Sequence, residues 1–278
     1  MSTSQTYSQE IETWHAARIA RLTAPDGWLS LVGLEWLKPG TNRIGSAADN
    51  DIVLARAPAH LGAVEWADDD TLAIVLDPAN GATIDGKVKA RAPLLDDSHA
   101  EPTTVAFGTV HFIAIDRGGR KGLRVRDSEA TTRTDFAGIQ RFPIEPAWRI
   151  VAGWLPLDPP FQLATGTAIG TIENYPAPGK ATFERDGQRC ELYPVLEAPG
   201  DRELFLIFAD STSGRETYGA ARFLYADMPH EGRVVLDFNK AYNPPCAFTP
   251  FATCPLAPPE NRLGLRVTAG ELKYGKHA

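Results

Sequence analysis

The side chains best suited to chemistry gather in the last third of the chain. Arg215, Glu216, Tyr218 and Arg222 come in close succession, and Asp237, Asn239, Tyr242, Asn243 and Cys246 follow soon after. An arginine presents a planar set of N–H donors matched to a carboxylate or phosphate. A carboxylate serves as general acid or base, and amides and hydroxyls fix orientation. On this reading Arg222 pairs with a small anionic ligand and Asp237 orients it or moves a proton. Glu216 and Tyr218 complete the catalytic candidates, and Arg215, Asn239, Tyr242, Asn243 and Cys246 line the pocket. The same residue types also brace loops: Asp and Asn satisfy turn amides, Arg pairs with Asp, and a Tyr ring packs with its hydroxyl bonded. The residues alone support both readings.

Cys246 and Cys254 stand wider apart than the close pairs of structural zinc sites, and no histidine pair follows them, so no metal site is assigned. A nucleophilic Cys246 would need a base, and His230 is the histidine nearest in sequence; the plainer expectation is a buried thiol acting as a small apolar group. A Gly-x-Ser-x-Gly elbow, a phosphate-cradling Gly-Lys-Thr loop, a His-Glu-x-x-His pair and a dinucleotide glycine fingerprint are all missing from the sequence. The cofactor is therefore left unknown.

Several elements must hold these residues in place. Ile11, Trp14, Arg18, Ile19 and Leu22 recur at helical spacing, Thr6 and Gln9 match a capping box, and Pro25, Asp26 and Gly27 supply a stop. One amphipathic helix is expected, packed on the body that follows. After Trp28 the pattern changes to short apolar runs broken by Gly, Pro, Asn and Asp, at residues 50–54, 72–76, 110–115 and 122–126. Further runs follow at 181–185, 189–193, 204–208, 223–225, 234–238 and 263–267. Asp186 and Gly187 mark a hairpin, because glycine accepts the positive φ such a turn needs. Crossover helices are missing, so the chain reads as all-β with one N-terminal α-helix and two packed antiparallel β lobes.

The expected organisation is a helix and turn at 1–27, a first lobe at 28–140 and a second at 141–278. The seam falls in the proline-bearing stretch 142–160. The connection 240–260 carries six prolines, and a segment of that kind is stiff and either functional or packed on its own domain.

A hydrophobic fraction of 43% and a charged fraction of 23% describe a folding, non-fibrous chain. The net charge of −7 opposes nucleic-acid binding, which needs a concentrated basic surface. The polar start, without a basic and apolar run, suggests neither a leader nor a membrane anchor, and with three cysteines the expected location is the cytoplasm.

Two resemblances add to this. Arg43 to Ser46, Asp49 to Leu54, Asn80 to Gly86 and Phe107 to Phe112 resemble, in order, the landmarks of forkhead-associated (FHA) domains. The resemblance implies an FHA-like β-sandwich in the first lobe. That family grips phosphothreonine with an arginine and a serine, whose places here hold Ser46 and Ala57, while His60 matches a structural histidine expected to be buried and hydrogen-bonded. Asp210 to Tyr225, Asp237 to Phe248 and Thr253 to Arg262, with Ala24 to Leu34, resemble a bacterial family known as domain of unknown function 1684. That resemblance brings no activity.

Two functions compete on these grounds. In one, the C-terminal lobe binds a small anionic metabolite, as an enzyme or a binding protein. In the other, the FHA-like lobe offers a loop or sheet edge to a protein partner.

Overall fold

Breaks at Gly, Pro, Asn and Asp leave segments after Trp28 only long enough for strands, and the computed structural model, which describes residues 3–275, is accordingly mainly β with one long helix. Helix α1 (Thr3–Leu22) opens it. Since α1 already runs at Thr3, Thr6 lies inside its first turns and not at its start. The chain divides into two units: residues 22–136, and the residues from 137 on together with the helix up to residue 21. The helix is therefore part of the second unit.

The first unit carries β1 (Leu31–Trp36), β2 (Gly40–Gly45), β3 (Ile52–Val53), β4 (Gly62–Trp66), β5 (Leu72–Leu76), β6 (Thr83–Ile84), β7 (Arg91–Pro93), β8 (Val105–Phe107), β9 (Val110–Arg117) and β10 (Arg120–Asp127). A short helix α2 (Thr131–Thr134) ends it. The strands form two five-stranded sheets, β1-β10-β9-β8-β6 and β3-β2-β4-β5-β7. Pairing is antiparallel throughout except between β2 and β3. Alternate residues of each sheet, among them Ile44, Val64 and Ile74 on one and Phe112, Ala114 and Leu123 on the other, share a single core. That alternation is the period-2 pattern of strands with one buried face. Gly45 is required here: a Cβ would lie 2.3 Å from the carbonyl oxygen of Ala59.

The second unit carries β11 (Arg149–Gly166), β12 (Ile172–Arg185), β13 (Gln188–Leu192), β14 (Glu203–Phe208), β15 (Arg222–Asp227) and β16 (Arg233–Asp237). One sheet runs β13-β12-β11-β16, and β14 and β15 form a two-stranded sheet. Phe183 and Leu236 of the first and Leu206, Phe208 and Leu224 of the second pack into one core with Phe238. Asp186 and Gly187 take φ of 52° and 73°, the double positive turn that joins β12 to β13.

Two expectations change. From Arg149 the proline-bearing stretch is a strand and not a seam, its ladder shifting register between Pro156 and Phe161, where prolines cannot donate. Residues 263–267 do not form a strand. They keep a strand's alternation, with Leu263, Leu265 and Val267 buried, but their backbone bonds go to loop partners such as Ala209, Ser211 and the Asp210 carboxylate. Among the described residues, no helix is long and apolar enough to cross a membrane.

Candidate functional site

Within the second unit a cleft of about 210 Å³ opens beside β15 and β16. One wall is helical, with Glu10 and Trp14 four positions apart and so on one face of α1. Arg149 enters from the start of β11, Glu203 from β14, Tyr225 and Asp227 from β15, and Asp237 from the end of β16. Lys240 and Tyr242 close the lining from the turn that follows. Strand pleating explains the set: Tyr225 and Asp227, two residues apart on β15, face the same way, and Glu203 sits directly across the ladder from Asp227. Two like charges placed opposite one another destabilise a strand pair, which makes that rim receptive to a cation.

Asp237 is the deepest charge in the cleft, 6% exposed. Its Oδ1 accepts the Tyr7 hydroxyl at 2.7 Å, the backbone N–H of Asn239 at 3.2 Å and the Asn239 amide at 3.2 Å. Its Oδ2 is buried and has no partner. An unpaired buried carboxylate oxygen is unfavourable. Asn239 also bonds the backbone of Glu145 in both directions and the Tyr7 oxygen, so it orients Asp237 from behind. Burial, then the Asp237 carboxylate, pushes the Tyr7 phenol well above its ordinary value, so Tyr7 stays a donor.

Aromatic rings form much of the remaining wall. Tyr225 and Tyr242 stack at 6.3 Å with a 15° interplanar angle, and Trp14 lies 6.3 Å from Tyr242. Tyr225 donates to Glu197 at 2.6 Å. Burial raises the pKa of both tyrosines, so neither is a source of anionic charge. The lining holds four carboxylates, Glu10, Glu203, Asp227 and Asp237, against two cations, Arg149 and Lys240. Lys240 is already paired with Glu10 at 2.6 Å.

The residues singled out in the sequence separate into distinct places. Asp237 and Tyr242 line the cleft and Asn239 supports it. Arg222 does not reach it: the side chain is completely buried, 2.6 Å from Asp210 Oδ2, and also donates to the carbonyls of Val267 and Ala269. Its donor array matches a carboxylate, as expected, but that carboxylate belongs to the chain itself. Asn243 is likewise buried, bonded through its amide to Leu272, through its N–H to Glu271 and through its carbonyl to Arg18. Glu216 pairs at the surface with Arg266, and Arg215 is exposed in the adjoining turn. Neither lines the cleft.

Tyr218 and Cys246 form a second locality, with the Tyr218 hydroxyl donating to the Cys246 carbonyl at 3.2 Å. Burial, then the nearby Cys246 and Cys254, pushes the Tyr218 phenol up to about 12. His230 sits in a turn paired backbone to backbone with Arg233. In the first unit His60 is exposed and not buried; its backbone carbonyl accepts from Asn80, and its ring Nδ1 lies 3.9 Å from the Asp49 carboxylate. Among the described residues no three His, Cys, Asp or Glu side chains gather as a metal-ligand set.

Sequence reasoning missed Tyr7, Glu10 and Trp14, which recur three and four positions apart and so share a helix face. That spacing was the available signal. Arg149, Glu203 and Lys240 gave none, since they are single charges at strand ends.

The fold and cleft together define a mainly β protein whose second unit encloses an acidic, aromatic-walled pocket roofed by its first helix. Residues 134–272, half of the chain, match the family described as protein of unknown function (DUF1684), and the chain belongs to that family. The matched span holds the strand side of the cleft, whereas Tyr7, Glu10 and Trp14 precede it, as do residues 24–34. A solved structure of an uncharacterized protein from Haloarcula marismortui is 30% identical, covering 52% of this chain and 81% of that one, with a TM-score of 0.44. No protein with a curated description matches.

Proposed function

We propose that the second unit binds a small organic cation, such as a primary amine, in the acidic cleft, with Asp237 as its anchor. The observation that carries this is the lining of the cleft, four carboxylates against two cations, with Asp237 the most buried of them and its Oδ2 unmatched by any hydrogen bond in the chain. Trp14 and Tyr225 bring aromatic rings that attract a cation, the Tyr242 ring already lying under the Arg18 guanidinium at 4.6 Å, and Glu203 and Asp227 add negative charge at the rim. This reading replaces the anionic ligand expected from the sequence, because Arg222 is engaged internally and acids outnumber bases around the space.

The test is a thermal-shift screen of the intact chain with matched panels of amines and of carboxylates and phosphates. A ligand at 100 times its Kd stabilises by about 2.7 kcal/mol, an easily read shift. Stabilisation by amines, weakened in Asp237→Asn and in Trp14→Ala, is the expected result. Stabilisation by anions alone, or an amine response unchanged in Asp237→Asn, would overturn the reading.

For the first unit we propose an FHA-like sandwich that has lost phosphopeptide recognition and serves as scaffold or protein-docking surface. Its support is the pair of five-stranded sheets around one core, with a buried Ala57 where a serine donor would be needed. Fluorescence anisotropy of phosphothreonine peptides with the full chain is expected to show no saturable binding; micromolar binding would contradict it.

A further inference from the structure

Away from the cleft, the proline-bearing connection holds two sulfurs together. The backbone N–H of Cys246 donates to the sulfur of Cys254 at 3.2 Å. Neither is in a disulfide. Their backbones are fixed independently. Cys246 sits in the single turn Pro245–Ala247, closed by Ala247 N–H to the Pro244 carbonyl, and the Cys254 carbonyl accepts the N–H of Ala168 at 2.9 Å. Prolines 244, 245, 250 and 255 stiffen the path between and beside them. The Cys254 sulfur is therefore held against the Cys246 backbone by a rigid frame.

We infer that Cys246 and Cys254 form a dithiol modification site that a small-molecule disulfide converts into an intramolecular disulfide. The two cysteines are unequal in a way that assigns their roles. Cys246 is half-buried and reachable, while Cys254 is 6% exposed. The hydrogen bond from the Cys254 thiol, with those from the backbone and Tyr218, holds Cys246 below the ordinary thiol value, and that of Cys254 is raised. Cys246 is thus the attacking thiolate and Cys254 the resolving thiol.

In the first step the Cys246 thiolate attacks one sulfur of the oxidant, whose sulfur–sulfur bond breaks and releases one thiolate. In the second, Cys254 gives its proton to that departing thiolate and its sulfur attacks the Cys246 sulfur, expelling the other half of the oxidant. Two protein thiols are oxidised, and one external disulfide is reduced to two thiols. Cys190, buried alone on β13 with its thiol raised by burial, is an internal control.

The experiment incubates the full native chain with oxidised glutathione, blocks the remaining thiols with a maleimide and maps the digest by mass spectrometry. Of the three cysteines, Cys190 alone is expected to carry the block, with residues 246 and 254 joined and the chain lighter by two hydrogens. In Cys254→Ser a stable glutathione adduct on Cys246 is expected. All three thiols remaining free, a persistent adduct on Cys246 in the unsubstituted chain, or links through Cys190 would each overturn the inference. The unsubstituted chain decides the matter even where the variant folds poorly.

Discussion

Nη2 of Arg222 lies 2.6 Å from Oδ2 of Asp210, with both side chains wholly removed from water. The same carboxylate accepts the Val267 N–H, and its other oxygen accepts the Thr212 N–H at 2.8 Å. This pair locks the end of β14 to the start of β15. Removing one member strands the other as a buried charge, so Arg222→Met or Asp210→Ala is expected to lower the free energy of unfolding by about 3–5 kcal/mol. Urea denaturation checks it. A loss no larger than that of a surface substitution would mean the pair is not buried as described.

Tyr7 ties the helix to the cleft through one hydroxyl that donates to Asp237 and accepts from Asn239. Tyr7→Phe keeps the ring and removes that link. The expected result is a loss of about 1–2 kcal/mol, as for a hydrogen bond to a charged group at a partly buried site. Chemical denaturation of the two forms side by side measures the difference, and equal midpoints would count against the link.

Gly270 holds φ at +79°, and a Cβ there would meet the Ala241 carbonyl oxygen at 2.4 Å. Ala241 lies between Lys240 and Tyr242, both in the cleft wall. Gly270→Ala is expected to destabilise by about 1–3 kcal/mol and to weaken any cleft ligand, because the turn must shift to make room. Calorimetry with and without the best amine of the screen reads both effects together.

His15 gives the pH dependence a definite sign. Burial, then the Arg141 charge, holds its imidazole below the ordinary 6.5, and its Nε2 is buried without a partner. The unfolded chain therefore binds the proton more readily than the folded one. Stability from this group is complete above the ordinary value and declines as pH falls below it towards the lowered folded value. Between about pH 7.5 and about pH 5.5 the unsubstituted chain should lose more thermal stability than His15→Gln. Parallel melting profiles of the two would contradict this.

Local features were well read from the sequence, and distant ones were not. The Asp186–Gly187 hairpin, β5 and the helix depend on neighbours within a few positions, and spacing reveals them. Arg222 and Asp237 both looked like site residues because type and company were all that could be judged. What separates them is place: Arg222 is sealed against Asp210 and the 267–269 backbone with no side-chain exposure, while Asp237 lies in the cleft lining. The cleft itself was hidden for the same reason. Part of its wall, Glu10 and Trp14, comes from α1, and no periodicity in a helix announces which carboxylate from the far end of the chain will lie against it. In residues 263–267 alternation was visible, yet the ladder partner that makes a strand was not.

The bond between Tyr7 and Asp237 spans 230 positions, which constrains how the chain is made. The helix is synthesised well before residues 203–242, which supply most of the surface it docks on, so that face stays uncovered until they have been made. The pocket cannot be complete before Tyr242 has been made, so products ending short of that residue would carry the helix without the surface it covers.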